Sequence, residues 1–160
     1  MAMEDIQYRE ANESDIPDLA RLRRVVYGTE EYWNNRISGY MRGEIYPQQA
    51  LKPRVLYIAY IPGKVVGFIA GHLTQRFKCQ GELEWINVDA LYGRQGIALK
   101  LLRLLAGWFV EQKSSNVCVD VDPANVMALN FYKKHGALHL NKHWLVWNDI
   151  SVVMGKFPIS

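Results

Sequence analysis

Ile86-Asn87-Val88-Asp89-Ala90-Leu91-Tyr92-Gly93-Arg94-Gln95-Gly96-Ile97-Ala98 runs from an apolar strand pattern, through a turn of small residues, into a long amphipathic helix pattern. The first N–H groups of a helix have no intrahelical partners and the helix dipole adds positive charge to them, so such a turn suits phosphate oxygens. Gly93, Gly96 and Ala98 carry little or no side chain, which lets a pyrophosphate approach the main chain, and Arg94 supplies a cation. The segment reads as a pyrophosphate cradle; the plainer alternative is a strand-to-helix turn that uses glycine for tightness.

Downstream, Val117-Cys118-Val119-Asp120-Val121-Asp122-Pro123-Ala124-Asn125 and Val126-Met127-Ala128-Leu129-Asn130-Phe131-Tyr132-Lys133-Lys134-His135-Gly136-Ala137 read as strand, turn, short helix and glycine stop. The two segments together resemble the GNAT superfamily of N-acetyltransferases. Its first signature is arginine or glutamine, two residues, glycine, one residue, then glycine or alanine. It falls on Gly93-Arg94-Gln95-Gly96-Ile97-Ala98, with Gly93 where a long polar side chain is usual and Arg94 one residue later. The second matches at Asn125, Ala128, Phe131-Tyr132 and Gly136.

The resemblance implies a mixed α/β fold, an acyl-CoA N-acyltransferase fold with a central mixed sheet of about seven strands flanked by about four helices. It implies acetyl-CoA as co-substrate, held by the main chain near Ile86 and Val88 and by Gly93, Arg94, Gln95, Gly96, Ile97 and Ala98. It also implies that the strand before the cradle and the strand after the following helix splay apart, and that Asn125 and Tyr132 lie beside the pantetheine arm and the thioester sulfur. The resemblance is strong over the second half of the chain; the first half matches only in pattern.

The composition is that of an ordinary globular protein. A chain of 160 residues, 49% hydrophobic and 22% charged, buries about 70% of its unfolded surface as one domain, residues 1–160, without needing a disulfide. A net charge of +3 and a pI near 8.8 are too mildly basic for a nucleic-acid binder. Cys79 and Cys118 lack metal or redox spacing and read as buried thiols. Met1-Ala2-Met3-Glu4-Asp5 has no leader character and no run is long enough for a membrane helix, so a soluble cytoplasmic protein is expected.

Periodicity places the elements. Ile6–Glu10 is a first strand, Asn12–Asp15 caps a helix that buries Ile16, Leu19, Ala20 and Leu22 or Val26, and a second helix covers Glu30 to about Met41. A loop from Gly43 to Pro53 leads to a hairpin, Val55–Ile61 and Val65–Leu73, turned at Pro62-Gly63-Lys64. Glu82–Val88 is a strand, Arg94–Gln112 a helix with Ala98, Leu101, Leu102, Leu105 and Phe109 on its core face, and Asn116–Val121 a strand parallel to Glu82–Val88. Leu138–Trp147 and Ile150–Phe157 read as two closing strands turned at Asn148-Asp149. Trp144 and Trp147 are either core or exposed rings that would pair two copies in a homodimer.

Acyl transfer from a thioester needs a base for the ammonium and a proton for the thiolate. Tyr132 is the candidate acid. Glu84, then Asp120, then Glu82 are the candidate bases, with Glu82 and Glu84 alternating along their strand and so sharing a face with Ile86 and Val88. Tyr27, Tyr32 and Trp33, with Tyr40 and Tyr46, either line a pocket for the amine or pack the helices onto the sheet. His135, His139 and His143 cannot align on one helix across Gly136, Asp120 and Asp122 make a poor metal pair, and no metal is expected. His72 has no assigned role. The expected activity is acetyl transfer to a small-molecule, peptide or protein amine by direct attack in a ternary complex. The alternative is a non-catalytic acyl-CoA-binding module. A Rossmann dinucleotide site fails, because the glycine turn comes late and lacks the required order.

Overall fold

The computed structural model describes residues 5–44 and 50–155. Tyr46, residues 45–49 of the expected loop and the last residues of the expected final strand lie outside them. The strands are β1 (Gln7–Glu10), β2 (Ala50–Ile61), β3 (Lys64–Thr74), β4 (Gly81–Val88), β5 (Val117–Asp120), β6 (Leu138–His139) and β7 (Trp144–Trp147). The helices are α1 (Ile16–Arg23), α2 (Glu30–Arg42), α3 (Ile97–Glu111) and α4 (Val126–Lys134). The strands form one seven-stranded sheet in the order β1-β2-β3-β4-β5-β7-β6, antiparallel throughout except for the β4–β5 pair.

Apolar side chains leave both faces of the sheet, as a sheet covered on two sides requires. On one face Leu101, Leu102, Leu105 and Phe109 of α3 pack with Val66, Ile69, Leu83 and Val119. On the other, Leu19 and Leu22 of α1 and Trp33, Ile37 and Tyr40 of α2 pack on Ile58, Phe68 and Trp85. Leu22 takes the core position at the end of α1; Val26 lies beyond the helix and is exposed.

Two expectations change. Leu138–Trp147 is a hairpin of β6 and β7 rather than one strand. Ile150–Met154 is a 3-10 helix instead of a strand, because Asp149 accepts from the Ser151 N–H at 3.0 Å and starts a helical turn that buries Ile150 and Val153 against α3. Trp147 is core and Trp144 is half-buried against Phe77 and Arg76, so neither ring is a free docking surface. No described helix is long and apolar enough to cross a membrane.

The β4–β5 contact begins where α3 presses closest. A Cβ added at Gly81 would lie 2.7 Å from Phe109 Cδ1, on a ring that is fully buried. Gly81→Ala is expected to lower stability by about 1–3 kcal/mol through overpacking; urea denaturation of the two proteins checks this.

Candidate active site

The pairing between β4 and β5 stops early. Gly81, Glu82 and Leu83 face Val117, Cys118 and Val119, and then the strands part. β5 continues with β7, and the Val121 N–H donates to the His143 carbonyl at 2.7 Å. From Trp85 to Val88, β4 has a ladder partner on the β3 side alone, so alternate N–H and C=O groups point into the gap. This is the splay the resemblance implied, and Ile86 lies in it. Val88 continues the same free edge but does not line the cleft.

A β-bulge sets what faces that cleft. Ala70 pairs with Trp85 and Gly71 with Leu83, which leaves Glu84 as the extra residue of β4. The bulge reverses the alternation: Leu83, Ile86 and Val88 pack on the α3 side, while Trp85 packs on the α1–α2 side. Glu82 and Glu84 therefore do not share a face with Ile86 and Val88, as strict alternation predicts. The cleft holds about 980 Å³ and is lined by Arg23, Arg36, Trp33, Glu84, Asp120 and Tyr132 among others.

Glu84 stands beside a buried polar group. One ligating atom from each of His72, Glu82 and Glu84 lies within 4.8 Å of the others. His72 is fully buried and its Nδ1 is 2.7 Å from the Tyr40 hydroxyl. Burial holds the Tyr40 phenol well above its ordinary value, so it keeps its proton while sharing this hydrogen bond with the ring. The other ring nitrogen, Nε2, faces Glu82 at 3.7 Å. Arg76 Nε donates to the same Glu82 oxygen at 3.0 Å. Desolvation first, and the Glu82 charge second, push Glu84 up to about 7, with Arg36 opposing them.

The far wall comes from β5, α4 and β7. Asp120 is exposed at the end of β5 with its carboxyl raised by desolvation, near His143. Asn125 caps α4, its side-chain oxygen accepting from the Ala128 N–H at 3.1 Å, and it lines the cleft. Tyr132 projects from α4 into the cleft, its ring edge-on to Trp147 at 5.6 Å. It is almost wholly enclosed, and burial keeps its phenol far above the ordinary value.

Of the aromatic candidates, Tyr27 and Trp33 line the cleft and Tyr32 does not. Trp33 does both expected jobs: it is 1% exposed in the core, and its Nε1 donates to the Tyr27 carbonyl at 2.6 Å. Sequence reading missed Arg23, Arg36, Asn87 and the Tyr40–His72 pair. The only signal for Arg23 was an arginine in a helical position between two core leucines and the helix end.

The cradle lies at the end of β4. α3 starts at Ile97, three residues later than expected, with Gly96 as cap at φ +75°, where a side chain would be strained. Arg94 also takes a positive φ, 63°, whereas Gly93 is in ordinary extended geometry. Among the described residues the N–H groups of Arg94, Gln95, Gly96, Ile97, Ala98 and Leu99 have no backbone acceptor. The Ile97 side chain is in the core, so only its main chain can serve a ligand, and Ala98 is half-exposed. These open amides at a helix N-terminus, followed by a cleft with a free strand edge, fit the diphosphate and pantetheine of coenzyme A.

Comparison with known proteins agrees with this geometry. Residues 15–137 match the family model described as the acetyltransferase (GNAT) family. The chain belongs to that family, whose members use acetyl-CoA. An N-alpha-acetyltransferase 30 from Dictyostelium discoideum is 25% identical over 91 residues, 56% of this chain and 49% of that protein. The match thus spans about half the length of that relative. The crystal structure of Ard1 from Thermoplasma volcanium superposes with a TM-score of 0.68 at 22% identity, over 88% of this chain and 94% of that one. The PaiA N-acetyltransferase from Thermoplasma acidophilum, in complex with coenzyme A, gives 0.64 at 15% identity over 89% and 97%.

An acidic side chain in the first turn of α3 favours the helix but repels a diphosphate. Ala98→Glu is expected to leave the melting temperature unchanged within about 2 °C and to weaken acetyl-CoA binding at least about tenfold; calorimetry and thermal melts check the pair of outcomes.

Glu84 also ties stability to pH. Its folded value of about 7 lies above its unfolded value, so the contribution is fully present below pH ~4.3 and is lost as pH rises through about 7. Glu84→Gln is expected to raise the melting temperature at pH 8 by roughly 3–8 °C, with little change at pH 4.5; scans at the two pH values measure it.

Proposed function

We propose that this protein transfers the acetyl group of acetyl-CoA to a primary amine of a small molecule or of a peptide or protein, by direct attack in a ternary complex. The observation that carries this reading is the splayed β4–β5 cleft with Glu84 at its wall, a carboxyl poised at about 7 between the cradle and the aromatic helix wall. The thioester of acetyl-CoA supplies an acyl carbon activated toward amines. The cradle amides from Arg94 to Leu99 hold the diphosphate, and the free edge of β4 from Glu84 to Val88 holds the pantetheine amides.

Glu84 takes the first proton from the incoming ammonium, directly or through a water, and releases it to solvent afterwards. A base matched to neutral pH is the efficient choice for this. The free amine forms the C–N bond while the C–S bond breaks. The amide nitrogen then sheds its second proton, which neutralises the thiolate. Burial holds the Tyr132 phenol above its ordinary value, so it meets the departing thiolate with its proton in place. It acts as a hydrogen-bond donor to the charge gathering on the leaving sulfur. Asp120, exposed on the opposite wall, attracts the ammonium.

Release of thiol from acetyl-CoA with a panel of amines tests the reading. The wild-type kcat/KM should climb with pH up to about 7 and then level, because the ionised carboxylate is the active form. Glu84→Gln should abolish that inflection and lower kcat about 10²–10⁴-fold with acetyl-CoA affinity retained. Tight coenzyme binding without turnover on any amine would assign the non-catalytic module instead.

A further inference from the structure

Arg23 and Arg36 stand on the helix wall of the cleft without a carboxylate. Arg9, Arg21, Arg24, Arg42 and Arg76 each meet one within 4.0 Å; among the described residues Arg23 and Arg36 do not. Arg23 is also fixed in place. Its Nη1 donates to Asn87 Oδ1 at 2.9 Å, and its guanidinium lies 4.6 Å from the Trp33 ring centre and 5.9 Å from that of Trp85. Its Nε is buried and has no hydrogen-bond partner. A neutral amide and two ring faces orient this cation but do not neutralise it, and desolvation weighs against its charge. Arg23, Glu84 and Tyr132 line the same cleft. Arg36 acts on Glu84 and on Tyr27 from the same wall. Asp120 and Asp122 stand on the opposite wall, so the cleft is positive on the helix side and negative on the sheet side.

We infer that the acceptor is an amine with a carboxylate a few bonds from the reacting nitrogen, paired by Arg23 and Arg36 while the ammonium faces Glu84 and Asp120. The inference deepens the acetyl-transfer reading and rests on it. Such a zwitterion matches the polarity across the cleft, and guanidinium pairs with carboxylate in the geometry arginine is built for. Polycationic acceptors meet repulsion from the same two side chains. The carboxylate comes from a free amino acid or from an acidic residue at a peptide N-terminus, and the arms of the test separate these sources.

Thiol release is measured with free amino acids, with their carboxamides, with C-terminally amidated peptides beginning in Asp, Glu, Ser or Lys, and with spermidine. The expected result is a kcat/KM at least about tenfold higher for carboxylate-bearing acceptors than for their carboxamides. That ratio should fall to near one in Arg23→Met and in Arg36→Met, chiefly through KM, and be partly kept in Arg23→Lys. If Arg23→Met does not fold, the half-exposed Arg36 position decides. Preference for carboxamides or spermidine, or a ratio that survives in both variants, overturns the inference and leaves acetyl transfer standing. If no amine releases thiol, the transfer reading fails. The inference is then judged by calorimetry of N-acetylglutamate and N-acetylglutamate amide with the coenzyme A-loaded protein. Stronger binding of the acid that disappears in Arg36→Met supports it, and equal or absent binding overturns it.

Discussion

Every functional part of this molecule depends on the parting of β4 from β5. Two strands that stay paired bond their backbone groups to each other. Here β5 keeps all four of its residues on β7 but gives β4 only three pairs, so β4 runs on from Glu84 with one edge open. Because α3 leaves the carboxyl end of β4 and returns to the start of β5, its N-terminus lies at the open end of the same gap. Ligands of α/β sheets gather outside the carboxyl ends of the strands for this reason. The diphosphate cradle and the free strand edge are two consequences of one departure from regular pairing.

An unpaired edge and enclosed charges cost stability, and the sheet carries them because it is packed from both faces. The α3 side and the α1–α2 side each hold a core cluster that reaches β4, through Leu83 and Trp85 respectively. Around Glu84 the polar groups are arranged so that most are satisfied. Tyr40 occupies His72 and Arg76 occupies Glu82, which leaves Glu84 the carboxyl that carries the mutual repulsion. Local rules are broken at the site and kept elsewhere, the usual division in a functional fold.

That division also explains what could be read in the sequence. Pro62-Gly63 marks its hairpin because proline and glycine preset the turn, and the leucines of α3 mark their helix because the buried stripe recurs every three to four residues. The small residues from Gly93 to Ala98 point to the cradle since the amides there need room for a ligand. Side-chain direction past Leu83 was not legible: the bulge at Glu84 has no residue signature, and strict alternation puts both glutamates on the wrong face. The final 3-10 helix was missed for a related reason. Its apolar residues are short-spaced like a strand, and only the Asp149 side chain turns the backbone. Arg23 escaped notice because a charged residue at a helix end is ordinarily solvated, and what encloses it arrives from Trp33, Trp85 and Asn87, far away in sequence.

The bulge couples these missed features. By adding one residue at Glu84 it turns Trp85 toward the α1–α2 face and keeps Asn87 on that same side, and those two residues, with Trp33, fix Arg23. Glu84 stands on that side too, next to Glu82 and His72. In a β4 with strict alternation, Trp85 and Asn87 would share the α3 face with Leu83, and Arg23 would lose one ring of its platform and its amide partner. The extra residue in β4 therefore brings Trp85 and Asn87 to the face on which Arg23 stands, and one local departure from alternation fixes the cation in the cleft that Glu84 also lines.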